Sequence, residues 1–366
     1  MRFATGARNR AVTVLRVTLA RRRSYHRAVG RTGTGVCIAW APGRVNLIGE
    51  HTDYSGGLVL PVAIQHGISL DVTSVEGHVL LTSELLGSAV PFAPDGSGAA
   101  ADGWARYAQA IAAELHLLGR PPVGLAGTIS SDLQVGAGLS SSAALEVAVG
   151  LALCAVADFE LDPLELALAC QRAELRAVGV PCGILDQAAA LLGCEGHAIL
   201  LDCGSLEYRL VPLPAEAALV VVDSGIEHSH ETSGYAQRRQ ELEAGMPRRV
   251  RHVQTENQRV RDFAAAFERQ DLGAAGRLLL ESHASLRDDY EVSIPELDLL
   301  VDLAQEAGAY GARLLGGGFG GAILALTEVE RADDLAAAVL GAYRARTGHD
   351  GASLVAVASA GAQVRR

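Results

Sequence analysis

The segment 41–64 places ionisable and hydrogen-bonding side chains between apolar ones, just after a Pro-Gly turn. Its ionisable members are Arg44, Glu50, His51, Asp53 and Tyr54. Polar groups that alternate with apolar neighbours indicate a concave, partly desolvated site. Clustered donors and acceptors suit a polyhydroxylated ligand, because each of its buried hydroxyls needs a partner. The simpler interpretation is a strand-turn-strand with a solvated loop.

A second segment, VGAGLSSSAALEVAVG at 135–150, combines glycines with three serines before an apolar helix. Gly136 and Gly138 let the backbone turn tightly and approach a ligand closely. Ser140, Ser141 and Ser142 then stand where unpaired amides and the helix dipole favour an anion. The run predicts a phosphate-binding loop, and ordinary N-capping by serine is the alternative.

A third segment, PCGILDQ at 181–187, carries Asp186 in otherwise apolar surroundings. A lone carboxylate there needs a cationic partner or hydrogen bonds, and Arg44 is the natural candidate for the partner. The alternative is a carboxylate near the start of a helix. On the preceding predicted helix lies Glu174, for which a plain surface acid is the simpler interpretation.

A fourth segment, GGGFGGAIL at 316–324, sets five glycines around Phe319 between two strand-like runs. Such a loop is typical of special backbone conformations close to another backbone or a ligand. Taken alone, it is equally explained by a turn.

The elements that position these motifs alternate irregularly between strands and helices. Apolar periodicity predicts helices over 104–118, 142–156, 163–178 and 183–192, and longer charged helices over 232–244, 249–269, 272–287 and 295–307. Strands without strict βαβ alternation indicate an α+β fold. We place a basic, poorly ordered extension at 1–34, an N-terminal domain at 35–213 and a C-terminal domain at 214–366.

Composition excludes several classes of function. The 366 residues carry a net charge of -11, which argues against nucleic acid as the main partner. All 31 basic residues are arginine, so a Walker-A lysine and Schiff-base chemistry are excluded. The six cysteines form no CxxC pair, which indicates a reduced, cytoplasmic protein. No apolar run reaches the ~20 residues of a membrane span.

Together these motifs resemble those of the GHMP small-molecule kinases. The segment 41–64 resembles the sugar-binding signature of the galactokinase branch, GAGLSSSAA resembles the phosphate loop, and GGGFGG resembles the third family motif. The resemblance extends from about residue 38 to 358. It implies a two-lobed fold, with an N-terminal mixed-sheet nucleotide lobe and a C-terminal ferredoxin-like α/β lobe.

The resemblance also implies a reaction, the Mg·ATP-dependent phosphorylation of the C1 hydroxyl of galactose by a monomer. The alternatives are a GHMP kinase for another sugar, such as N-acetylgalactosamine, and a non-catalytic galactose and ATP sensor. The segment 138–144, which we name the serine loop, is intact. Together with Arg44 and Asp186, it favours the enzyme over the sensor.

The site residues that the resemblance implies fall into four groups. The catalytic pair is Asp186 and Arg44. Sugar binding falls to Glu50, His51, Asp53, Gly183 and Tyr235. ATP binding falls to Gly136, Ala137, Gly138, Leu139, Ser140, Ser141, Ser142, Ala143 and Trp104, although core packing explains Trp104 more simply. The Mg²⁺ ligands are Ser142 and Glu174.

Overall fold

Helices and strands alternate irregularly along the computed structural model, which describes residues 37–88, 91–133, 138–179, 182–226 and 231–365. The predicted extension 1–34 and the predicted site residues Gly136 and Ala137 lie outside these ranges. The helices within them are α1 (Ala105–Leu117), α2 (Ser141–Val156), α3 (Pro163–Val178), α4 (Leu185–Leu192), α5 (Glu231–Glu243), α6 (Pro247–Glu268), α7 (Leu272–Ser285), α8 (Pro295–Glu306) and α9 (Ala332–Thr347).

The strands form three sheets. They are β1 (Cys37–Asn46), β2 (Leu58–Val59), β3 (Pro61–Val75), β4 (Val79–Ser83), β5 (Gly87–Ser88), β6 (Gly124–Ser131), β7 (His197–Asp202), β8 (Tyr208–Pro212), β9 (Ala217–Asp223), β10 (Gly311–Leu315), β11 (Ala322–Glu328), β12 (Ala352–Ala356) and β13 (Gln363–Arg365). The sheet orders are β13-β1-β3-β6-β4-β5, β10-β11-β9-β12 and β2-β7-β8.

These sheets confirm the predicted α+β class. In the six-stranded sheet β4 runs parallel to β6 and the other neighbours are antiparallel, so the sheet is mixed. The four-stranded sheet is antiparallel, and β9, β10, β11 and β12 are connected through helices in a βαββαβ order. That connection is the ferredoxin-like arrangement expected for the C-terminal part.

Helix α2 lies at the centre of the first hydrophobic core. It is apolar on all sides, and every residue from Ala143 to Cys154 is buried. It packs against β1, β3, α1, α3 and α4. A helix buried all round cannot shift without opening the core. Its N-terminus is therefore a fixed point for the serine loop.

The four-stranded sheet divides its side chains between two cores. Leu219, Val221 and Leu324 face the first core, and their neighbours Val220 and Ile323 face a second core built with α8 and α9. The alternation follows from the two-residue period of a strand. Strand β10 ends beside the end of β1, and the glycine-rich loop 316–321 follows it there.

Within the described ranges, no helix has the length and apolar character needed to cross a membrane.

A buried arginine allows one prediction about stability. Arg120 is fully buried and donates to the backbone carbonyls of Pro94, Val123 and Leu153. Arg120→Met leaves these acceptors unpaired, and each buried unsatisfied group costs about 1–3 kcal/mol. We expect a lower midpoint of urea unfolding. An unchanged or higher midpoint would show that desolvation of the guanidinium outweighs its hydrogen bonds.

Candidate active site

The loop 47–57, between β1 and β2, carries the predicted sugar-binding side chains and is fastened from behind by α6. The Gly49 amide donates to Glu256 Oε1 over 3.1 Å. His252 Nε2 donates to the Glu50 carbonyl oxygen over 3.1 Å. Both partners on α6 are buried. The loop therefore presents its side chains from a backbone that is held by a packed helix.

Glu50 is buried and accepts hydrogen bonds from three protein donors. Its Oε1 accepts from Arg313 Nη2 at 3.1 Å and from the Gly316 amide at 2.9 Å. Its Oε2 accepts from Asn46 Nδ2 at 3.0 Å. A carboxylate offers about four lone-pair sites, so acceptor capacity remains for a ligand hydroxyl.

His51 is a neutral imidazole with both ring nitrogens engaged by the protein. Nε2 lies 3.1 Å from the Gly317 carbonyl oxygen, which can only accept, so Nε2 carries the proton. Nδ1 then accepts from the Tyr54 hydroxyl at 2.9 Å, and Tyr54 in turn accepts from the Tyr290 hydroxyl at 2.8 Å. Burial, together with the nearby His252, lowers the pKa of His51 to about 3. The ring acts here as a spacer between the loop 47–57 and residue 317.

Tyr235, on α5, completes an aromatic group around His51. Its ring centroid lies 5.5 Å from that of His51 and 5.1 Å from that of Tyr54. Burial and the nearby Asp53 carboxylate raise the pKa of the Tyr235 phenol well above its usual value. Tyr235 is therefore a neutral hydroxyl close to Asp53, where it can pair with a ligand hydroxyl.

Asp53 and Gly183 lie against each other. A Cβ added at Gly183 would come within 1.7 Å of Asp53 Oδ2, so no other residue fits there without displacement. Burial, followed by repulsion from Asp186 and Glu50, raises the pKa of Asp53 from 3.8 to about 7. The predicted sugar-binding residue Gly183 thus serves by making room for Asp53.

Asp186, in the first turn of α4, has both carboxylate oxygens held by donors. Arg44 Nε donates to Oδ1 over 2.7 Å, and the Ser140 hydroxyl donates to Oδ2. Arg44 Nη1 donates to the Gly138 carbonyl over 2.5 Å. Burial opposes the charge of Arg44, but the combined attraction of Asp186, Glu50 and Asp53 outweighs it and raises the pKa of Arg44. The side chain of Asp186 is 29% exposed, so a hydroxyl group can reach it.

The serine loop differs from an ordinary helix start. Ser140 occupies the N-cap position of α2 in the left-handed region (φ 59°), and its hydroxyl makes no capping bond. The hydroxyl is used on Asp186 instead, so capping does not explain Ser140. Leu139 and Ala143 are almost fully buried, so their side chains do not line the surface of this loop.

Ser142 and Glu174 place two oxygen ligands together. Ser142 Oγ donates to Glu174 Oε1 over 3.0 Å, and Gln187 Nε2 donates to Oε2 over 2.7 Å. Burial and the nearby Asp186 raise the pKa of Glu174, because both disfavour its negative charge. Among the described residues no group of three or more His, Cys, Asp or Glu gathers as a metal site. One hydroxyl and one carboxylate fit Mg²⁺, which keeps several waters and binds substrate phosphates.

The glycine-rich loop 316–321 touches both halves of the site. Its Phe319 has φ 60°, and the neighbouring glycines 316, 318, 320 and 321 also have positive φ. Gly316 and Gly317 bind Glu50 and His51, as described above. A Cβ added at Gly138 would lie 3.8 Å from the carbonyl oxygen of Leu315, next to this loop. The loop therefore lies between the predicted sugar-binding residues and the serine loop.

Three residues of the site were not expected from the sequence. They are Asn46, Tyr290 and Arg313. Arg313 had a usable signal, because it is a charged residue within the otherwise apolar run of β10.

Trp104, which is predicted to bind ATP, directly precedes α1. It is partly buried and packs against the first core. Packing accounts for Trp104, and its nucleotide role stays a prediction.

Comparisons with known families match three parts of the chain. The galactokinase galactose-binding signature matches residues 23–72. The GHMP kinases N terminal domain matches residues 105–194, and the GHMP kinases C terminal domain matches residues 263–345.

Individual relatives cover most of the chain. The galactokinase of Chloroflexus aggregans is 40% identical over 92% of this chain and 95% of its own length. The galactokinase of Bos taurus is 43% identical over 80% of this chain and 84% of its own length. The crystal structure of Lactococcus lactis galactokinase complexed with galactose superposes with a TM-score of 0.83 at 33% identity, covering 90% of this chain and 95% of that one. A mevalonate kinase at 19% identity and TM-score 0.66 shares the fold.

The contact between Gly183 and Asp53 can be tested with an alanine. Gly183→Ala forces the Asp53 carboxylate or the start of α4 to move, and we expect a lower thermal midpoint. Gly341→Ala is the matched control, because a Cβ there meets nothing within 4 Å in the middle of α9. That substitution should raise stability by about 0.5–1 kcal/mol. Equal midpoint shifts in the two variants would contradict the tight contact.

The pKa of Asp53 generates a second prediction. Because the folded pKa of about 7 lies above the ordinary 3.8, the folded state holds an extra proton between these values. Stability should therefore fall as pH rises from about 4 to 7 and stay lower above that range. Asp53→Asn cannot ionise, so its stability relative to the wild type should rise across the same range. Urea unfolding at several pH values measures this, with the exposed Asp71→Asn as control, and parallel curves for Asp53→Asn and the wild type would refute it.

Proposed function

Since this chain belongs to the GHMP kinases and, within them, to the galactokinase family, we propose that it transfers the γ-phosphoryl group of Mg·ATP to the C1 hydroxyl of galactose. The observation that carries the proposal is the Arg44–Asp186–Ser140 group at the N-terminus of α2. It places a reachable carboxylate, a guanidinium and an anion-binding helix end side by side.

The sugar would lie against the loop 47–57. Glu50 retains acceptor capacity, Asp53 adds a second carboxylate, and Tyr235 adds a neutral hydroxyl. A buried sugar hydroxyl left unpaired is costly, so such convergent partners select for a polyhydroxylated ligand. His51 would shape this wall through its fixed ring, since Tyr54 and Gly317 engage its two nitrogens.

The nucleotide phosphates would lie over the start of α2. Backbone amides at the start of α2 and the helix dipole favour an anion there without a lysine. Ser142 and Glu174 would hold Mg²⁺. When bound, the metal neutralises charge on the phosphates.

Asp186 would accept the proton of the C1 hydroxyl or orient that hydroxyl toward the phosphorus. Arg44 fixes Asp186 Oδ1 and places positive charge where charge develops on the transferring group. Ser140 fixes Oδ2, so the carboxylate is held on both oxygens before substrate arrives. Phosphoryl transfer depends chiefly on such positioning and charge stabilisation.

We also propose that the enzyme acts as a monomer in the cytoplasm. The six cysteines, all within the described ranges, form no disulfide, which suits a reducing compartment. Every residue assigned above belongs to one chain, so the site needs no partner subunit.

A coupled ADP-release assay tests the function. We expect turnover with galactose and little with N-acetylgalactosamine, arabinose or mevalonate. Asp186→Ala and Asp186→Asn should each lower kcat by about 10²–10⁴-fold, because the group that handles the proton is lost. Asp71→Asn, an exposed aspartate on β3, is the control. Near wild-type turnover in Asp186→Ala would contradict the catalytic assignment, and ATP binding without turnover in the wild type would favour a sensor.

A further inference from the structure

Arg313 is a fully buried arginine that connects β10 to the start of the loop 47–57. Its Nε donates to the Leu47 carbonyl over 2.7 Å, and its Nη2 donates to the Asn46 carbonyl and, over 3.1 Å, to Glu50 Oε1. Its Nη1 donates to the carbonyl of Leu314 over 2.7 Å. Glu50 is the single side chain among these acceptors.

Stability alone is a weak reason for a charge at this position. Removing a guanidinium from water is costly, and well-packed apolar residues often replace buried ion pairs without loss of stability. Leu315, two positions along and therefore on the same face of β10 as Arg313, is a buried apolar residue of the first core, so this face accommodates apolar side chains. The positive charge and the planar guanidinium of Arg313 instead match the carboxylate and the carbonyl groups to which it donates.

Arg313 and Gly316 together fix one oxygen of Glu50. Both donate to Oε1, while Oε2 accepts from Asn46 alone. Oε2 is therefore the oxygen with the greater capacity left for a ligand. The side chain of Glu50 is 7% exposed, so little freedom remains once Oε1 is held.

We infer that Arg313 is a positioning residue for sugar recognition, which acts by holding Glu50 Oε1 so that Oε2 faces the bound sugar. The inference rests on the proposed function, because it assigns Arg313 to the galactose side of that site. Arg313 is fully buried, and its hydrogen bonds reach neither Asp186 nor Arg44. Its loss should therefore act on sugar binding and leave the phosphoryl-transfer group in place.

Steady-state kinetics of Arg313→Lys and Arg313→Met test this assignment. We expect the KM for galactose to rise about 10- to 100-fold, the range for losing a hydrogen bond to a charged group. The KM for ATP and the kcat at saturating galactose should change by less than about threefold. Arg313→Lys keeps the charge without the fork, so it should be the milder of the two, and it carries the test if Arg313→Met does not fold.

A double-mutant cycle separates positioning from general damage. If Arg313 acts through Glu50, adding Arg313→Lys to Glu50→Gln should raise the KM for galactose little beyond Glu50→Gln alone. Arg120→Met is the matched control, because Arg120 is also fully buried but donates to backbone carbonyls outside the site. It should lower stability and leave both KM values unchanged.

The kinetic results distinguish a failure of the proposed function from a failure of the positioning role of Arg313. Normal wild-type turnover with an unchanged KM for galactose in both Arg313 variants would overturn the inference and leave the proposed function standing. Parallel rises in both KM values, or effects that multiply in the cycle, would likewise show a general structural role. A wild-type protein that releases no ADP with galactose would overturn the proposed function and this inference with it.

Discussion

Repulsion among three carboxylates is the constraint around which the site is built. Glu50, Asp53 and Asp186 all act on the same guanidinium, that of Arg44, and raise its pKa. Arg313 binds Glu50 from behind, and Arg44 binds Asp186 directly. Asp53 has no arginine at hydrogen-bond distance in the described structure, and burial, followed by repulsion from Asp186 and Glu50, raises its pKa to about 7. A ligand that donates hydroxyl hydrogens relieves this repulsion, so the constraint also favours binding.

Three of the seven non-glycine residues with positive φ in the described structure lie in the loops that meet at these carboxylates. His51, Ser140 and Phe319 each have positive φ although none is glycine, and each belongs to a different loop. Such conformations persist where the surroundings over-determine them. For His51 the ring is held by Tyr54 and Gly317, and for Ser140 the hydroxyl is held by Asp186. The side-chain bonds that fix the site thus also maintain its unusual backbone.

Local signals were sufficient for much of the fold. Helix α3 was predicted at its observed bounds, because Asp162 forms a capping box with Glu165 and Gly179 ends the helix in the left-handed region. Helix α4 begins at Leu185, two residues after the predicted start, since Gly183 packs against Asp53 instead. The Arg313–Glu50 bond joins residues 263 positions apart. No periodicity or turn motif encodes such a pairing, because the two residues meet only where the fold brings β10 beside the end of β1.

The absence of lysine explains why arginine geometry matters here. An ammonium group can pair with an anion from many directions, whereas a guanidinium presents donors in a fixed plane. Arg44 uses that plane to hold Asp186 with Nε and the Gly138 carbonyl with Nη1. It thereby fixes the distance between the Asp186 carboxylate and the serine loop. A lysine at position 44 could neutralise Asp186. Its ammonium group would pair with either Asp186 or the Gly138 carbonyl, whereas Arg44 holds both. The positive charge would remain after that change, but the proposed alignment of the galactose C1 hydroxyl with the transferring phosphoryl group would be lost.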